Sequence, residues 1–206
     1  MVLPLHIFEQ RYRDLVQDLL AQAETGSPAV FGVVAIRAGQ EVGEDAATAL
    51  AQIGCLADLR AVGSLPDGRF EIVAVGATRF RLERVIATET PYLQAKVQWI
   101  DEASGPEAQA LAEQARAAFE SYRAALRGTS EDAEPADLPQ DPTMLSYALG
   151  SAVVLTPADR QGIVAAADTD DRLRLLLRLM ARERAVLGQL RAVPTHDFLR
   201  TGMSPN

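Results

Sequence analysis

Apolar positions along this chain change their period twice. The first residues read as extended, because Pro4 pushes the residue before it out of the α region. From Phe8 the spacing turns helical, with Phe8, Tyr12, Leu15, Val16, Leu19, Leu20 and Ala23 on one face. Thr25-Gly26-Ser27-Pro28 then stops the helix. Short β-rich runs follow at 29–37, 53–62, 70–75, 78–85 and 91–100, with a polar, Ala-rich loop at 40–52. Leu65-Pro66-Asp67-Gly68-Arg69 is a tight turn, and Gly76 marks a bulge or break between two strands. Arg79, Arg81 and Glu83 alternate with Phe80 and Leu82, the pattern of a half-buried strand. These strands predict a small barrel or a twisted sheet.

Beyond residue 104 the period is helical. Leu111, Ala115, Ala118, Phe119, Tyr122 and Leu126 mark one helix face that ends at Gly128. Residues 129–142 carry acids and three prolines but no base, and read as a linker or loop. Thr156-Pro157-Ala158-Asp159 has the makings of a helix start: a hydroxyl cap, proline in the first turn and an acid behind it. Residues 168–171 open a longer helix through Leu173, Leu176, Leu177, Met180, Leu187 and Leu190, better suited to a bundle than to a coiled-coil seam because Glu183 and Arg184 interrupt its stripe. The tail after residue 194 reads as poorly ordered. The expected organisation is α+β: a β-rich unit at 1–104 and an all-helical unit at 105–206.

Charge narrows the function. Twenty basic against 28 acidic residues give a formal charge of −8, which opposes a nucleic-acid role. Arg79 and Arg81 form at most a small basic stripe, blunted by Glu71 and Glu83. Lys96 is the only lysine and sits between Ala95 and Val97, so neither a phosphate-binding loop nor a Ser–Lys peptidase centre is present. His6 and His196 lie at opposite ends with no cysteine partner, which disfavours a zinc site. Cys55, the single cysteine, reads as a buried, inert thiol. The acid pairs Glu44-Asp45 and Asp170-Asp171 read as a loop and a helix start. No catalytic, cofactor-binding or metal-binding residues are assigned, and the position of any peptide-binding groove is unknown. With no signal-type start, no membrane-span run and no disulfide, the expected location is the cytoplasm.

Several segments in order resemble one family. They are LPLHIFEQRYRDL from Leu3, FGVV from Phe31, GQEVG from Gly39, IGCLADL from Ile53, LPDGRFEIVAVGATRFRL from Leu65, PYLQAKV from Pro91, and a helical stretch from Leu145 to Glu183. Together they are similar to the N-terminal substrate-binding domain of Lon proteases. The resemblance implies a PUA-like β-barrel followed by a helical bundle, in a chain without the ATPase and peptidase parts. It implies a non-enzymatic module that binds exposed apolar segments of client proteins and uses no cofactor. A separate protease or chaperone, and a second copy of the chain, are further candidate partners. The alternatives are RNA binding, which PUA-like barrels support elsewhere, and a hydrolase with an unrecognised site. Family members usually carry another strand before LPLHIFE. The sequence therefore predicts either a start further upstream or an open edge at residues 1–5.

Overall fold

The computed structural model describes residues 1–36, 50–127 and 137–192. The GQEVG segment, most of the 40–52 loop, Gly128, the first part of the 129–142 linker and the tail after 194 lie outside these residues. The chain divides into two compact units, one of Met1–Ala103 with Val164–Ala166, the other of Ser104–Ile163 with the residues from Ala167 onward.

The first unit contains β1 (Val2–Ile7), α1 (Gln10–Glu24), β2 (Val30–Val33), β3 (Ile53–Ser64), β4 (Phe70–Ile86) and β5 (Gln94–Trp99). All strand pairs are antiparallel. The two strands expected on either side of Gly76 are one strand, β4, and the irregularity is absorbed as bulges. Cys55 faces Arg79 but Ala57 faces Gly76, which places one extra residue on β4; between Leu59 and Ala61 the extra residue lies on β3 and restores the register. A third offset, between Leu82 and Arg84, adjusts β4 to β5.

The sheet order is β1-β4-β3-β2, with β5 also on β4. β1 pairs with Phe70 to Val75 of β4 and β5 with Phe80 to Ile86, so the two lie end to end along one edge. The described sheet is therefore four strands wide and open, and the closed barrel expected from the sequence is not formed by it. Closure would need β2 to pair with β1 or β5, and small barrels take about five strands or more. The other edge of β1 meets no described strand.

One face of this sheet packs on α1, where Val16 meets Phe70 and Ile72 with Leu5, Ile7, Phe31, Leu59 and Val62 around them. The helix starts at Gln10, later than the apolar spacing suggests, and Phe8 is left outside it and exposed. Near β2 the sheet accommodates Phe80 by withholding side chains: its ring lies over Gly32 and Gly54, with Trp99 edge-on at 6.3 Å between ring centroids.

In the second unit α2 (Ala108–Arg127), α3 (Pro142–Ala152), α4 (Pro157–Ala165, whose end falls with the first unit) and α5 (Thr169–Ala192) share one core. Tyr122, Leu145, Leu149, Leu173, Leu176 and Met180 are fully buried in it. The helix starts follow the expected capping. Asp159 N–H donates to Thr156 Oγ1 at 3.1 Å, and Asp171 N–H to Asp168 Oδ1 at 2.8 Å. Arg182 and Thr156 hold the Asp159 carboxyl well below the usual carboxylate range. The acidic, Pro-rich stretch ends in structure: Asp141 accepts from Met144 N–H at 2.8 Å and Pro142 opens α3.

Gly54 is a close-approach position, since an added Cβ would lie 2.6 Å from Phe80 Cζ and 2.8 Å from the Val33 carbonyl. Gly54→Ala should lower stability by about 2 kcal/mol. At Gly63 the nearest atom would be 3.7 Å away, and Gly63→Ala should change stability by less than about 0.5 kcal/mol. Urea unfolding of both variants measures the contrast; equal midpoints would refute the packing of Phe80 on β3.

Candidate binding surface

The alternation of β1 sorts its side chains onto two faces. Leu3, Leu5 and Ile7 are half-buried on the α1 side, and Val2, Pro4 and His6 are exposed on the other. Register carries this outer face across the sheet. Pro4 lies opposite Val73, which lies opposite Ala61; Val2 lies opposite Val75, then Asp58, then Val30; His6 lies opposite Glu71, then Gly63. The solvent face of an antiparallel sheet is ordinarily polar. Here its centre is apolar, with Val2 64% and Val73 36% exposed. Phe8 continues the same parity just beyond the strand and is 63% exposed, its ring stacked toward His6 at 6.3 Å between centroids.

Charge enters this face at Asp58 and Glu71, in the rows on either side of Pro4, Val73 and Ala61. Arg60 pairs with Asp58 at 2.9 Å and Arg69 with Asp67 at 2.6 Å; Arg69 Nη1 also lies 3.2 Å from His6 Nε2. The Arg69 hydrogen bond holds the Asp67 carboxyl below its ordinary range, so the border stays ionised near neutral pH.

The residues weighed from the sequence do not assemble into a catalytic site. Lys96 is exposed and pairs with Glu83 at 3.0 Å. The Arg79 and Arg81 stripe is corrected: Arg79 is 3% exposed, with Nε on Glu102 at 2.6 Å and Nη1 on the carbonyls of Val164 and Ala166. Arg79 and its neighbour Phe80 are both buried, so the sheet is covered on both faces at that point, whereas Arg81 and Glu83 are exposed on either side of half-buried Leu82, as their alternation predicts. Cys55 is half-buried rather than fully buried. Its Sγ–H donates to the Leu56 carbonyl at 3.2 Å, and burial raises the thiol pKa despite the opposing pull of the Ala77 N–H and Arg79. Asp170 is buried and accepts from Glu107 N–H at 3.0 Å, a structural role at the start of α2. Glu44, Asp45 and His196 lie outside the described residues. Among the described residues no three His, Cys, Asp or Glu are grouped to hold a metal, and no helix is long and apolar enough to cross a membrane. A shallow depression of about 420 Å³ between Ala125 of α2 and Ala181, Arg184, Ala185, Leu187 and Gly188 of α5 brings no set of polar groups together.

Sequence reasoning alone does not place the outer face, although a signal is present. VLPL in β1 and EIVAV in β4 are apolar on both parities, whereas a strand with one wet face alternates. Only the pairing of the strands shows that the surplus residues meet.

Comparisons with known proteins agree over most of the chain. The family model described as the ATP-dependent protease La (LON) substrate-binding domain matches residues 1–182. Lon protease 2 of Syntrophobacter fumaroxidans is 28% identical over 185 residues, covering 89% of this chain and 22% of its own length. The Lon protease of Roseiflexus castenholzii is 33% identical over 143 residues, covering 68% of this chain and 18% of its own. The chain thus spans about a fifth of the length of these curated relatives. Among solved structures, the N-terminal domain of Mycobacterium avium complex Lon protease superposes with a TM-score of 0.64 at 20% identity, over 88% of this chain and 90% of that one. The Lon N-terminal domain protein from Xanthomonas campestris gives 0.58 at 21% identity, over 86% and 89%. At these identities the structural likeness is one of fold.

Two measurements check the assignment of faces. Val73→Thr should leave stability within about 0.5 kcal/mol of the parent, whereas Ile72→Ala, one residue away on the core face, should cost about 3 kcal/mol. Cys55 should react with a disulfide reagent at pH 8 more slowly in the folded protein than in urea, because its thiolate is disfavoured by burial; equal rates would contradict its placement.

Proposed function

The chain belongs to the family of the ATP-dependent protease La (LON) substrate-binding domain, and from that premise we propose that it recognises protein clients through the outer face of its β1–β4–β3 sheet. The observation that supports this is the apolar centre formed by Val2, Pro4, Val73 and Ala61, with Phe8 beside it. Burying client side chains there releases water from both surfaces, the main favourable term in such contacts. Covering a few such side chains after the cost of association supports affinities on the order of micromolar. That range suits a module that must also let its client go.

The reading is one of binding without chemistry, in the cytoplasm, with a separate protease or chaperone receiving the client. It draws on the family model, which describes a substrate-binding domain and matches residues 1–182. RNA is the weaker ligand: the formal charge is −8, and Arg79, half of the basic stripe, is committed to Glu102.

An unfolded probe such as reduced, carboxymethylated α-lactalbumin should bind at micromolar concentration, measured by fluorescence anisotropy. The double variant Phe8→Ser, Val73→Glu should weaken binding at least tenfold with little change in thermal midpoint. No binding at high micromolar concentration, or equal binding by the variant, would sink the proposal.

A further inference from the structure

The edge of β1 carries information that its outer face does not. Gly76 N–H donates to the Met1 carbonyl at 3.0 Å, and the register sets Met1 opposite Gly76, one step beyond Val2 opposite Val75. In an antiparallel ladder, hydrogen-bonded and non-bonded pairs alternate. Leu3, Leu5 and Ile7 therefore direct their backbone groups at β4, and Val2, Pro4 and His6 direct theirs away from it. No described strand pairs with that side. Unpaired by any described strand, this edge presents the N–H groups of Val2 and His6 and the carbonyls of Val2, Pro4 and His6. Pro4 falls in the phase where its missing N–H costs the ladder nothing.

We propose that an extended segment of the client adds to this edge as an antiparallel strand, with its hydrogen bonds on Val2 and His6. The inference rests on the client-binding reading above and specifies how the client is held. The chemistry of the edge selects the occupant, because two donors and three acceptors spaced along an extended backbone are matched only by another extended backbone. The adjoining face selects its side chains. Residues directly opposite Val2, Pro4 and His6 project onto the apolar outer face, so the client alternates, with apolar residues at every second position. Pro4 also argues against a second copy of this chain. If two β1 edges paired about a two-fold axis with full overlap, Pro4 would face Pro4, two carbonyls without a donor between them.

The test uses an eight-residue peptide of alternating valine and threonine, labelled with fluorescein, and two N-methylated forms of it. In antiparallel pairing the residues that bond to the edge are those whose side chains join the apolar face. N-methylation of the valines should therefore weaken binding at least tenfold, and N-methylation of the threonines less than threefold. Amide exchange should slow at Val2 and His6 on binding and stay unchanged at Leu3, Leu5 and Ile7. Pro4→Val restores a donor and should tighten binding about fivefold, the worth of one backbone hydrogen bond. Equal binding by all three peptides, with no protection at Val2 and His6, would overturn strand addition while leaving recognition by the outer face intact. Loss confined to the threonine-methylated form would overturn it too, as would protection of the same amides by dimerisation without peptide. If the unmethylated peptide and the unfolded probe both fail to bind, the client-binding reading itself falls.

Discussion

Strand β4 has to satisfy two edges along seventeen residues, and the first unit is arranged around that demand. Fully extended and straight, it would span roughly 55 Å. A unit of about 100 residues has a radius of gyration near 13 Å, so a strand of this length must bend to stay within its own domain. Bulges supply the bend. The extra β4 residue between Arg79 and Gly76 and the compensating one on β3 between Leu59 and Ala61 let the strand turn while β3 stays paired with it. The bend also divides the labour of the other edge, where β1 takes the first half of β4 and β5 the second.

The two halves meet different surroundings. In the second, Arg79 and Phe80 are consecutive and both buried, and each is paired with what lies on its own side: the arginine with Glu102 and main-chain carbonyls, the phenylalanine with Gly32, Gly54 and Trp99. A buried guanidinium is tolerable only with such partners. In the first half, α1 covers one face and the other is open to water, yet the open face keeps its valines. Exposed apolar residues confer no stability on the isolated fold. Their concentration at Val2, Val73 and Phe8 is what the proposed binding would use, and the ion pairs at its border and Pro4 on its edge would restrain indiscriminate association.

What can be read in advance is whatever depends on near neighbours. The capping at Thr156 and Asp168, the turn at Leu65 to Arg69 and the core positions Leu111, Ala115, Phe119 and Tyr122 all follow from spacing within a few residues. Sequence and structure part where distant segments decide. Gly76 reads as a break because a glycine weakens a strand locally, but Ala57 and Met1 hold it in the ladder from both sides. Arg79 reads as half of a basic stripe, since its partners lie 23, 85 and 87 residues further on. Phe8 fits the helix on spacing alone, and the chain enters the helix two residues later. The outer face is hidden for a related reason: Pro4, Val73 and Ala61 become one row only when three strands are in register.

That same dependence on register bears on how the proposed surface would bind. Val73 lies between Ile72 and Ala74, both buried, and Val2 and Pro4 alternate with Leu3 and Leu5. The exposed residues are thus the reverse side of strands whose other side is fixed by the core. If clients bind as proposed, they need not order these residues first, and the conformational cost of binding falls mainly on the client. For a folded polypeptide, giving up its own structure would cost more than covering a few side chains on this face returns. An already extended or unfolded segment bears a much smaller cost. Under the proposed reading, discrimination between folded and unfolded clients would follow from rigidity on one side of the contact, without any residue that senses unfolding directly.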